Sequence, residues 1–118
     1  MVSSRRKNLM QRKSNCWGCN CMVSIPKTLA ESIKVIIEWH LATYVPDIMF
    51  DHHLNRILEH FFERNLVDGM AQVEETELYY INECVSNATN NIPECGVEKS
   101  VVWDIYDWVV AERKKANI

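Results

Sequence analysis

Cys16-x2-Cys19-x1-Cys21 places three thiols within a six-residue span, the closest approach in this chain to a metal-binding motif. Thiolates two or three positions apart can share one zinc ion, because a tight turn directs both at the same centre. Gly18 permits such a turn. A structural zinc takes four ligands, and zinc fingers supply them as two spaced pairs. The second pair is absent here, so Cys84, Cys95 or a histidine would have to complete the site. Three free thiols on an irregular arm is the plainer reading and the preferred one. A redox Cys-x-x-Cys pair is less well supported, since such motifs open a helix after a strand and no strand is predicted before Cys16. The expectation is no cofactor, with zinc at Cys16, Cys19 and Cys21 as the alternative.

Four histidines could also bind metal or move protons. His40 falls at the centre of an apolar stripe. His53 and His60 share the edge of another, but seven residues at 1.5 Å rise separate them by roughly 10 Å, too far for one ion. His52 points away from its stripe. Neither Glu-x-x-His nor His-Glu-x-x-His occurs, so hydrogen-bonded core or edge histidines are expected. Glu74 and Glu77 fall on the apolar face predicted for the third helix, where an unpaired carboxylate is costly. A catalytic or metal-binding pair would explain them. A first helical turn that favours acids explains them more simply. Gly-x-Ser-x-Gly and phosphate-cradling glycine loops are missing, and the chain has only three glycines.

The arm carries Arg5, Arg6, Lys7, Arg12 and Lys13, which could grip phosphates in a salt-dependent, sequence-independent way, and Trp17 could stack on a base. A solvated basic tail is the competing reading. More telling is a surplus of large apolar residues off the predicted core stripes: Val35 and Trp39, then Tyr79 and Tyr80, then Trp103, Tyr106 and Val110. Scattered exposed apolar residues are ordinary. Tryptophan and tyrosine, however, are enriched among interface anchors, so Trp39, Tyr79, Tyr80, Trp103 and Tyr106 are the candidate partner-binding residues.

Four predicted helices must position these groups. The first covers about 26–44, with Leu29, Ile33, Ile36, Ile37, His40 and Tyr44 on one stripe. Pro26 suits its first turn, Ser24 is a candidate cap, and Thr28 with Glu31 has capping-box spacing. Val45-Pro46 breaks it. A second helix, about 46–65, carries Phe50, Leu54, Ile57, Leu58 and Phe61, and Asn65 with Asp68-Gly69 ends it. The third, about 70–88, places Met70, Val73, Ile81, Cys84, Val85 and Ala88 together. Residues 86–96 read as a loop. The last helix, about 98–115, carries Val101, Val102, Ile105, Trp108 and Val109, with Lys114 and Lys115 suiting its C-terminal dipole. No segment alternates with period two long enough to argue a strand. The predicted fold is all-α, a small four-helix bundle-like single domain (23–118) behind an irregular, basic, Cys-rich arm (1–22). A helix-turn-helix arrangement of the second and third helices is the alternative.

Charge sharpens this division. Six bases and no acid precede Glu31, and from there to Ile118 sixteen acids face seven bases, for a net charge of −3. No apolar run approaches the ~20 residues of a membrane span, and no apolar stretch follows the basic start as in a secretory signal. An odd cysteine count without such a signal points to a reducing, cytoplasmic setting. The expected function is non-catalytic: a small interaction or regulatory protein that docks onto a protein partner or onto itself. The alternative is a nucleic-acid-associated protein gripping phosphate through the arm, which zinc could order. An enzyme using Glu74, Glu77 and His40 ranks last.

Overall fold

A computed structural model of the protein describes residues 22–62 and 70–116. In chain order these form β1 (Met22–Ser24), α1 (Lys27–Thr43), α2 (Ile48–Phe62), β2 (Gln72–Glu74), a single 3-10 turn (Glu75–Glu77), α3 (Leu78–Thr89) and α4 (Lys99–Ala116). The protein is mostly helical, as the 3.6-residue stripes predict, and among the described residues no helix is long and apolar enough to cross a membrane.

Each helix forms where an apolar stripe meets a stop signal. In α1, Ile33, Ile36, Ile37 and His40 are buried. Pro26 sits just before the helix, not in its first turn, and its carbonyl accepts hydrogen bonds from Leu29 and Ala30. Neither the Ser24 cap nor the Thr28–Glu31 box forms; the Ser24 hydroxyl instead accepts a bond from Gln72 Nε2 at 2.8 Å. Helix α2 starts two residues later than predicted, because Asp47 Oδ1 accepts the Phe50 N–H and sets the boundary there. Its predicted end at Asn65 and Asp68-Gly69 lies outside the described residues, as does the Phe61 side chain. In α4, Val102, Ile105, Val109 and Ala116 are buried.

The third predicted helix needs correction. Residues 70–77 are not its first turns: Gln72–Glu74 is a strand and Glu75–Glu77 a 3-10 turn, so α3 begins only at Leu78. The expectation of no strand fails with it. β2 pairs antiparallel with β1, Met22 opposite Glu74, Val23 opposite Val73 and Ser24 opposite Gln72. A bond from the Ile25 N–H to the Ala71 carbonyl, 2.9 Å, extends the pairing. Strands of three residues are too short for alternation to be read. They persist because Val23, Ile25, Ala71 and Val73 all enter the core, at roughly 1.5–3 kcal/mol for each fully buried larger side chain. Met22, the last residue assigned to the arm, is the first residue of β1.

The core is one cluster to which every helix contributes, with Ile25, Ile36, Leu54, Leu78, Ile81 and Ile105 fully buried. The most extensive helix–helix contact is between α3 and α4. The loop joining them turns at Gly96, whose φ of +85° suits glycine and where an added Cβ would lie 3.3 Å from Val35 Cγ1. Val35 is therefore half-buried under this loop, not free on the far side of α1 as its stripe position suggests.

Candidate functional site

Two groups of side chains stand out once the helices are packed. The first is polar. Glu77 is only 2% exposed, on the 3-10 turn facing α2. Arg56 Nη1 donates to Glu77 Oε2 and Arg56 Nη2 to Glu74 Oε2, each at 2.8 Å. His53 Nδ1 donates to Glu77 Oε1 at 3.2 Å, and the His53 ring stacks on Tyr80, 4.2 Å between centroids at 10°. The expectation that Glu74 and Glu77 occupy a helical first turn is corrected. They precede α3, and a forked guanidinium from α2 satisfies them. Arg56 drew no notice in the sequence, although a cation within α2 was the available signal that a buried acid pair had a partner. These side chains bond one another, so the arrangement holds the 3-10 turn against α2.

The other histidines divide as follows. His40 is buried as predicted, but its Nδ1 has no hydrogen-bond partner, against the expectation of a bonded core histidine. It lies among rings, 4.5 Å from Tyr44 and 5.3 Å from Phe50. Burial pushes its pKa below the ordinary value, outweighing the Asp51 and Glu83 carboxylates, which act to raise it. His52 is exposed, as predicted. With Asn55, Arg56, Glu59 and His60 it lines a shallow hollow on α2.

The metal-binding expectation falls partly outside the described residues: Cys16, Cys19 and Cys21 lie there, as do Arg5, Arg6, Lys7, Arg12 and Lys13. Cys84 and Cys95, the two body thiols considered for completing a zinc site, are free and buried. Burial raises the pKa of the Cys84 thiol strongly. Among the described residues no group of three or more histidine, cysteine or acidic side chains is placed to hold a metal ion.

The second group is apolar. Tyr79 and Trp103 are exposed, whereas Trp39, Tyr80 and Tyr106 are half-buried and pack against the core. Trp39 makes edge contacts with Tyr44 and His40; Trp103 meets Tyr106 edge-on at 5.4 Å. The structure thus brings Tyr79 and Tyr80 together on α3 and Trp103 and Tyr106 on α4, and sets Trp39 apart on α1. Among the described residues the most exposed apolar side chains are ones that the helical stripes do not single out. Val45 is 88% exposed, Ile48 86% and Met49 68%, all at the corner between α1 and α2. The signal was present, since large aliphatic residues at a helix break (Val45-Pro46) and in the first turn after it lie off the stripes that bury such side chains.

Fold and site together define a small, mostly helical domain with an internally hydrogen-bonded polar cluster and exposed apolar side chains. No protein-family model matches the chain, and no curated protein or solved structure is detectably similar to it.

Proposed function

We propose that this is a small non-catalytic interaction or regulatory protein that docks onto a protein partner or onto another copy of itself. The observation that carries this reading is the α1–α2 corner, where Val45, Ile48 and Met49 are all strongly exposed. Contiguous exposed apolar patches mark interaction sites, and Tyr79 and Trp103 add exposed aromatic anchors. The polar cluster supports a non-catalytic role, because Arg56, Glu74, Glu77 and His53 are engaged with one another. Free, buried Cys84 and Cys95 are compatible with the reducing cytoplasmic compartment proposed here.

The test is made at a dilution that keeps single copies. An apolar fluorescent dye should bind the native fold, and Ile48→Lys with Met49→Lys should remove much of that binding while shifting stability by less than about 0.5 kcal/mol, the usual range for surface changes. Absence of dye binding, or binding indifferent to both substitutions, counts against a docking corner.

A further inference from the structure

The face between α3 and α4 has the chemistry that the α1–α2 corner lacks. The two helices run antiparallel, so that Tyr79 at the start of α3 lies beneath Arg113 near the end of α4, 5.8 Å from guanidinium carbon to ring centroid. Beyond them a groove is lined by Asn82 of α3 and by Val110, Arg113 and Lys114 of α4. Arg113 Nε is buried with no hydrogen-bond partner. Among the described residues no carboxylate pairs with Arg113 or Lys114, whereas the adjacent Lys115 is held by Glu112 at 2.9 Å. A guanidinium laid on an aromatic ring beside a second unpaired cation, with Val110 exposed alongside, calls for an apolar segment carrying a carboxylate.

The corner is such a segment. It presents Val45, Ile48 and Met49 together with the exposed Asp47. Asp47 caps α2 through Oδ1, which accepts the Phe50 N–H. Phe50, at the base of the corner, lies 5.3 Å from Tyr80, and Tyr80 lies 5.1 Å from Tyr79 at the groove mouth. Corner and groove therefore flank the same ring cluster. Among the described residues nothing covers the corner.

We propose that the groove between α3 and α4 receives the Val45–Met49 corner of a second copy of this chain, the two copies exchanging corners about a two-fold axis. A two-fold interface uses one surface twice, so each copy must carry both halves of the contact, and this chain does. Asp47 meets Arg113 and Lys114, while Ile48 and Met49 cover Tyr79 and Val110. The proposal rests on the docking reading and names its partner.

The test measures the native mass of the full chain across a concentration series. The mass should double from 13.8 kDa as concentration rises. Ile48→Lys and Val110→Glu should each hold the chain at single-copy mass with little change in melting temperature. Arg113→Gln should weaken dimerisation by about tenfold or more, as for loss of one partner of an interfacial charge pair. Mixing the first two variants should restore a dimer, since one retains an intact groove and the other an intact corner. Failure to complement, or a dimer that persists in either variant, overturns the corner-in-groove contact. A native chain of single-copy mass at every concentration overturns self-docking. If that chain still binds dye at the corner, the docking reading survives with another partner; if it binds none, both fall.

Discussion

Replacing Arg56 by leucine should be among the most damaging single changes on the α2 surface. Arg56 gives one Nη to each of two carboxylates at 2.8 Å, and its own side chain is 36% exposed whereas that of Glu77 is only 3% exposed. Removing the cation leaves the Glu77 charge in a nearly dry site with His53 as its remaining partner. Removing one member of a buried ion pair costs about 3–5 kcal/mol; water at the Arg56 side of the cluster argues for the lower end, about 3 kcal/mol. For a domain of this size that corresponds to a fall in melting temperature of roughly 12–24 °C. Glu77→Leu should cost only about 1 kcal/mol, because Arg56 keeps Glu74 and turns its exposed end to water. The double variant should be milder than Arg56→Leu alone, since an apolar pair can replace a buried ion pair with little loss. Urea unfolding of the native chain, both single variants and the double variant completes the cycle, with an expected coupling of about 2–3 kcal/mol. If Arg56→Leu lies within about 0.5 kcal/mol of native, or Glu77→Leu is as costly as Arg56→Leu, the asymmetry argument is wrong.

Two further outcomes follow from burial. Burial holds the pKa of His40 below its ordinary 6.5, so the unfolded chain binds more protons than the folded one, and the stability linked to His40 is present above about pH 6.5 and lost as pH falls through the lowered folded value; urea midpoints at about pH 7.5 and 5.5 should differ less in His40→Leu than in the native chain. Trp39 packs on the core and Trp103 is exposed, so Trp39→Ala should cost roughly 2–3 kcal/mol and Trp103→Ala about 1 kcal/mol or less, which a thermal melt of each variant will show; equal losses would mean that Trp103 is buried in solution.

The sequence by itself determined the helices. Ile33, Ile36 and Ile37, or Val102, Ile105 and Val109, can be buried together only at helical spacing, and a 3.6-residue stripe is a local property. It also determined where α1 stops, because Val45-Pro46 cannot continue it. Tertiary structure decided residues 70–77. Val73 fits a helical stripe or a strand equally well, and only pairing with Val23, fifty residues earlier in the chain, selects the strand. It likewise decided the standing of Glu74 and Glu77, since a buried carboxylate is tolerated only where a cation reaches it, and Arg56 arrives through the packing of α2 on β2 and the 3-10 turn. Exposure of Val45, Ile48 and Met49 belongs to the same class. Apolar character is written in the residue, but whether anything covers it depends on which helix faces lie within reach.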